Sequence, residues 1–217
     1  MPTQSEKNQI PKDRILNEAE ILFAEKGFHA VTVREITRSA KCNLAAVNYH
    51  FGNKENLYLE VFRERWIPRA RRVREDFQKT VSTGNGQNIS EIVHALALAF
   101  IQGPLTDEER LRHAQLMIRE MAMPTAALDL LFEEVIEPFF GEVAGRLHPL
   151  MEEGMKRESL MLSIISVFSM VIYFNFARLP VRRATGQEYD ETFKERLVDH
   201  IVKFSVTGFG LNGEAKG

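Results

Sequence analysis

The stretch LAAVNYHFGNKENL, residues 44–57, sets small and hydrogen-bonding side chains along two helical turns and a lysine just past a Gly-Asn turn. Such a set makes no bonds, but it can read them. A helix that enters a DNA major groove, about 12 Å wide, needs small residues at its leading edge, and Ala45 and Ala46 supply them. Asn48 can hydrogen-bond to bases or phosphates, Tyr49 can reach a phosphate or a thymine methyl, and His50 can donate to a phosphate. Lys54 stands in the first turn of the following helix, where its ammonium and the helix's free amides together suit a phosphate. The bland alternative stays open: Leu44, Val47 and Phe51 have core spacing, and Tyr49 or His50 can pack on a neighbouring helix.

Bond-making chemistry finds no such support. The chain has no nucleophile elbow, phosphate loop or dinucleotide fingerprint. It has one cysteine, Cys42, and six scattered histidines without H-E-x-x-H spacing, so no metal site and no cofactor is expected. A lone cysteine also suits a reducing compartment, and the polar start MPTQSEKNQIPKDR lacks the apolar core of a secretory signal, so a cytoplasmic protein is expected. The charges are unevenly shared. Residues 1–81 carry 15 Lys/Arg and 11 Asp/Glu, a net +4, whereas residues 82–217 carry 13 and 19, a net −6. The cationic third is where a nucleic-acid module would lie.

Helices supply the frame for these residues. Ile15, Ala19, Leu22 and Phe23 give one apolar face to a helix over 12–26, closed by Gly27. Thr32 with Glu35 forms a capping box for a short helix over 33–40. Asn43 caps a third over 44–50, Gly52 stops it, and Asn53 caps a long fourth helix over 54–79 that Pro68 should bend. Two brief helices joined by a three-residue turn after a longer one make a helix-turn-helix pattern. Beyond the linker-like STGNGQN, five more helices are expected, over 89–102, 106–121, 125–138, 159–179 and 190–207. The fold class is therefore all-α with about nine helices: an N-terminal three-helix helix-turn-helix domain over 10–56 and a larger C-terminal helical ligand-binding and dimerisation domain over 57–210.

Residues 15–62, ILNEAEILFAEKGFHAVTVREITRSAKCNLAAVNYHFGNKENLYLEVF, closely resemble the DNA-binding domain of TetR-family transcription regulators. The resemblance rests on A-x-x-L-F-x-x-x-G-F from Ala19, T-V-x-E-I from Thr32 and Y-H-F-x-x-K-E from Tyr49. It implies DNA contacts from Thr32, Arg34, Leu44, Ala45, Ala46, Asn48, Tyr49 and His50, and a phosphate-binding role for Lys54. The family usually has glycine where this chain has Lys41, in a turn that often requires positive φ; the turn here is either strained or differently shaped. Residues 117–140, with R-E-M-x-x-P-T from Arg119, resemble the C-terminal domain of the CecR-like branch. The plain reading of Arg119 and Glu120 is that they brace helices.

Three further features carry expectations. The six arginines between Arg63 and Arg74 fall on several helix faces among acidic residues, so a salt-bridged surface is expected rather than a DNA contact. The larger domain is rich in Phe and Met; a pocket is expected from Phe100, His113, Met117, Glu120, Phe139, Phe168, Tyr173 and Asn175. The uncharged run over 159–177 has the length of a membrane span, but Ser163, Ser166 and Ser169 give it a small polar ridge, and a buried helix is the preferred reading. With the stripe of Phe193, Leu197, Ile201 and Phe204 it offers more apolar surface than one subunit covers, which points to a homodimer through the two C-terminal helices. The expected partners are thus a palindromic double-stranded DNA operator, a small apolar or amphipathic effector and a second copy of the chain, with no membrane. The expected function is a repressor released by that effector; a helical carrier or enzyme whose N-terminal module does not read DNA is the alternative.

Overall fold

A computed structural model of the chain describes residues 4–208 apart from 85, 87, 152 and 153, and it is helical throughout with no strand among the described residues. Twelve α segments form ten rods, because two pairs run on through a single wide turn. Helices α1 (Gln4–Lys26), α2 (Val33–Ser39), α3 (Leu44–Phe51) and α4 (Lys54–Val61) are followed by α5 (Ile67–Thr83), α6 (Ile89–Ile101), α7 (Asp107–Ala122) and α8 (Ala126–Leu131). The rest are α9 (Glu137–Leu147), α10 (Arg157–Phe176), α11 (Arg178–Thr185) and α12 (Glu191–Gly208). The helix not foreseen is α11. The run expected to reach residue 179 ends at Phe176, Ala177 turns the chain (φ −87°, ψ 37°), and a separate two-turn helix follows.

The two wide turns share a cause. Phe62–Trp66 between α4 and α5 and Phe132–Ile136 between α8 and α9 are π turns, each ending two residues before a proline, Pro68 or Pro138. Proline has no N–H to give its helix, and its ring crowds the carbonyl four residues back. Widening the preceding turn relieves the crowding, and the Ile67 N–H reaches Phe62 O, five residues back. The bend expected at Pro68 is thus taken up by one π turn.

Packing divides the chain into two compact units, residues 1–69 with 108–134 and residues 70–107 with 135–217. The first unit therefore contains α1–α4 and most of α7 with α8, a larger body than the expected 10–56. Its core holds Phe23, Ile36, Val47, Leu57, Phe62, Leu116 and Leu131, all nearly or fully buried. Phe23, Phe28, Tyr58 and Phe62 form a run of ring contacts at 4.8–6.2 Å. Two arginines and two carboxylates sit beside that core. Arg69 pairs with Glu20 and lies 3.4 Å from Glu109, and Arg112 comes within 3.8 Å of Glu20. Glu20 is 2% exposed, so its charge is held by partners rather than by water.

In the second unit α6 is the central element, burying Ile89, Ile92, Val93, Leu96 and Ile101. Its Ala95, Ala97 and Ala99 are buried as well, which lets neighbouring helices come close. Helices α9, α10 and α12 pack around it. Phe77, Phe100, Phe139 and Phe168 meet with ring centroids 5.4–6.2 Å apart. The α12 stripe is mostly consumed here: Phe193, Leu197 and Ile201 are buried within the subunit, and only Phe204 of the four faces outward. The arginine run is salt-bridged, at the surface except for the buried Arg69. Arg63 pairs with Glu60, Arg65 with Asp13, Arg69 with Glu20, and Arg74 donates to Glu142 at 2.7 Å.

His113 stacks on Trp66, rings 4.0 Å apart and nearly parallel, while the Trp66 indole N–H donates to the His113 carbonyl at 3.0 Å. Burial, aided by the charges of Arg69 and Arg110, pushes its pKa down from the ordinary 6.5 to about 3. Its Nδ1 is buried without a hydrogen-bond partner. The folded chain thus keeps this ring neutral where the unfolded chain protonates it, so its contribution is complete above pH 6.5 and is lost as pH falls towards 3. Urea unfolding at stepped pH should show wild type losing up to about 1.4 kcal/mol per pH unit more than His113→Phe across this window. Parallel curves would sink the assignment. Lys41 gives a second test, being the one non-glycine residue with positive φ (51°) among those described. Relieving that conformation with Lys41→Gly should raise stability by about 1 kcal/mol, read from the same unfolding curves.

Candidate nucleic-acid interface

Three side-chain caps set the geometry of the helix-turn-helix. Thr32 Oγ1 accepts from Glu35 N at 3.2 Å, Asn43 Oδ1 from Ala46 N at 2.9 Å, and Asn53 Oδ1 from Asn56 N at 2.7 Å. Each satisfies an amide that the first turn of its helix leaves free, and each fixes where that helix starts. Between α2 and α3 the chain turns through Lys41, with Cys42 N donating to Thr37 O at 3.0 Å. Gly52, at φ 79°, ends α3 and allows α4 to begin two residues later.

Helix α3 has two faces. Val47 and Phe51 turn inward, 0% and 5% exposed, and hold the helix on the core. Tyr49 is 76% exposed, Ala45 and Asn48 are also exposed, and Ala46 and His50 are half-buried. The Tyr49 and His50 rings meet edge to face at 5.0 Å, which limits the swing of the tyrosine. Leu44 departs from its core spacing and is 48% exposed. Side chains on a helix lean towards its N-terminus, so in the first turn Leu44 overhangs the core that Val47 and Phe51 fill. Thr32 and Arg34 are exposed at the start of α2. Arg38, four residues after Arg34 and therefore on the same helix face, is exposed too. It was absent from the expected set, and the i, i+4 spacing of the two arginines is the signal that could have found it.

Lys54 holds a different position from a free phosphate ligand. Its Nζ donates to Phe28 O at 2.9 Å and to Val31 O at 3.1 Å, and it stands 4.2 Å above the Phe28 ring. Two of its three N–H groups therefore tie the start of α4 to the α1–α2 loop, leaving one for an outside acceptor.

The eight expected pocket residues divide between the two units. Phe100, Phe139 and Phe168 meet in the core of the second unit, where Asn175 donates to Phe100 O at 3.3 Å and Val171 O at 3.0 Å. Tyr173, on α10 of the same unit, is 53% exposed. His113, Met117 and Glu120 belong to the first unit. Glu120 is buried there, accepting from the Tyr58 hydroxyl at 2.5 Å and from Thr125 N at 3.0 Å. Burial, and then this bond to Glu120, push the pKa of the Tyr58 hydroxyl well above its usual value, so it keeps its proton and remains the donor. Arg119, beside it, donates to Ala24 O at 2.6 Å and to Glu25 O. Both residues of the R-E-M run are therefore braces, and Tyr58 is the partner that spacing did not suggest.

Comparison with known proteins agrees with this geometry. Residues 15–61 match the family described as bacterial regulatory proteins, tetR family. Residues 87–209 match the C-terminal domain of the HTH-type transcriptional dual regulator CecR. The CecR of Shigella flexneri is 24% identical over 208 residues, covering 93% of this chain and 92% of its own. The transcriptional regulator QacR of Staphylococcus aureus is 42% identical over 50 residues, 23% of this chain and 27% of its own. Among solved structures, the TetR-family regulator PfmR of Thermus thermophilus shares the fold, with a TM-score of 0.61 at 21% identity over 88% of this chain and 98% of its own. With a capped helix-turn-helix that turns one face of α3 outward, and family matches over both parts of the sequence, the chain belongs to the TetR family of DNA-binding transcription regulators, in its CecR-like branch.

Proposed function

We propose that this regulator is a repressor that binds a palindromic operator as a homodimer and is released by a small apolar or amphipathic effector. The observation that carries the reading is the outward face of α3. A tyrosine 76% exposed beside alanine and asparagine stands on a helix held from behind by Val47 and Phe51, so core packing does not account for it. On DNA, Ala45 and Ala46 let the backbone approach, Tyr49 and Asn48 meet base edges or phosphates, and Thr32, Arg34 and His50 position the helix on the backbone. Leu44 suits a thymine methyl. Lys54, with its one remaining N–H, adds a phosphate contact while fixing the loop before α2. A DNA partner fits a cytoplasmic protein.

The dimer is proposed from what α10 and α12 leave uncovered. Leu162, Ile165, Tyr173 and Phe176 on α10 and Phe204 on α12 are between 44% and 62% exposed. An open groove of about 410 Å³ runs past Met170, Tyr173, Phe174 and Phe204. Ser163, Ser166 and Ser169 return their hydroxyls to carbonyls of their own helix at 2.8–3.0 Å, so the ridge is free of unmet donors and suits close contact. Two-fold pairing would set two α3 helices onto half-sites about 34–36 Å apart, or a multiple of that.

The test begins with selection of random-sequence DNA by the purified full chain. A palindrome should be enriched, and Tyr49→Ala should weaken its binding by about 1–3 kcal/mol for each base the tyrosine reads. Arg34→Ala should instead flatten the salt dependence of log K by about one unit for each phosphate it neutralises. Enrichment of no sequence, with both variants behaving as wild type, would overturn the reading. Ile165→Asp combined with Phe204→Asp should give monomers by sedimentation and lose the operator.

A further inference from the structure

The first unit carries a half-open cavity of about 250 Å³ that neither the DNA-reading face nor the α10–α12 groove uses. It lies under the α1–α2 loop, walled by Phe28, Tyr58 and Met123, with Lys26, Arg119 and Glu120 among its polar lining. The walls are aromatic and apolar, as small-molecule sites are, and the polar groups are few and fixed. Their hydrogen-bonding capacity is unequal. The Glu120 carboxylate is already met by Tyr58 and by Thr125 N and Oγ1. Lys26 is paired with Glu35. Arg119 uses Nε and Nη2 on the carbonyls of Ala24 and Glu25, but its Nη1 has no partner among the described residues. That nitrogen lies against Gly27, where an added Cβ would come within 3.2 Å of it. The α1 carbonyls that would repel an anion are the ones Arg119 has already bonded, and the Glu120 oxygens are turned to Tyr58 and Thr125, so the unbonded donor left to a guest is Arg119 Nη1.

We infer that this cavity is a binding site for a small carboxylate with an apolar, ring-sized body, which bonds Arg119 Nη1 and lies against Phe28 and Tyr58, and whose presence weakens operator binding. The inference rests on the effector reading above and gives that effector a place and a charge. Its route to DNA is short. The loop from Gly27 to Val31 leads directly into Thr32 and Arg34, and two cations grip the chain around it: Arg119 at Ala24 and Glu25, and Lys54 at Phe28 and Val31. Phe28 is both a cavity wall and the ring beneath Lys54, so a guest that moves this ring or draws on Arg119 loosens the grip that sets α2.

Benzoate and its neutral isostere benzamide are suitable probes, titrated by calorimetry into the full chain. Benzoate should bind at least about tenfold more tightly than benzamide, and Arg119→Gln should erase the difference. Because Arg119 also braces α1, Ala122→Trp gives a second test: it fills the cavity from its rim, leaves the Arg119 bonds in place, and should abolish binding of both probes. Operator DNA should weaken benzoate binding by the same factor that benzoate weakens operator binding. Equal binding of the two probes, no binding of benzoate, or unchanged binding in Ala122→Trp overturns the site. Benzoate binding that leaves operator affinity unchanged overturns its coupling to DNA. Either failure with an operator still enriched from random DNA sinks this inference alone, whereas failure to enrich any operator sinks the regulator reading itself.

Discussion

The head of this protein depends on α7. Helices α1 to α4 supply a small core, and α7 completes it by bonding Tyr58 through Glu120, by stacking His113 on Trp66 and by bringing Arg112 towards the charge that α1 buries. Glu20 on α1 would be an uncompensated charge without Arg69 and the nearby Arg112, and such a charge costs about 3–5 kcal/mol when its partner is removed. Glu120 is buried on α7 in the same way, and the Tyr58 hydroxyl and Thr125 satisfy it. Arg119 then caps the end of α1 by taking the carbonyls of Ala24 and Glu25, the groups a helix C-terminus leaves open. These polar contacts are directional, so they set the angle at which α1 and α4 are held as well as their stability.

The DNA-reading face inherits that angle through the loop before α2. Lys54 binds Phe28 O and Val31 O, and so converts the α1–α2 loop into a fixed lead for Thr32. The caps at Thr32, Asn43 and Asn53 then determine three helix starts within little more than twenty residues. A recognition helix gains from this rigidity, since a side chain displaced by an ångström loses the bidentate geometry that separates one base from another. The strained Lys41 turn sits inside the same stretch, where the caps and the core on either side hold it.

The second unit follows a different rule. Its centre is α6, a helix apolar on nearly every side and thinned by three alanines, and its stability comes from packing rather than from polar contacts. Phe100, Phe139 and Phe168 fill space there instead of lining it. The polar ties lie at the margin, where Glu142 collects Arg74, Gln78 and Arg146 and thereby joins α5 to α9. The apolar surface left over lies on α10 and at Phe204 of α12, outside that packed centre.

Local features were legible in the sequence because their causes are local. Helical periodicity, the three caps, the glycine stops and the outward alanines and tyrosine of α3 each depend on residues within a turn or two of one another, as did the identity of the head through its motifs. The oddity at Lys41 was also readable, because a turn that calls for positive φ is a property of three residues. Contacts over long sequence separations were not. Nothing near Glu120 in the chain reveals Tyr58, 62 residues away, and nothing near Lys54 reveals the carbonyls of the α1–α2 loop. Composition likewise marked Phe100, His113 and Glu120 only as residues of pocket-forming type. Which apolar side chains fill a core, which charged ones brace it and which remain open to a guest is decided when distant helices meet, because burial is a property of the neighbours and not of the residue.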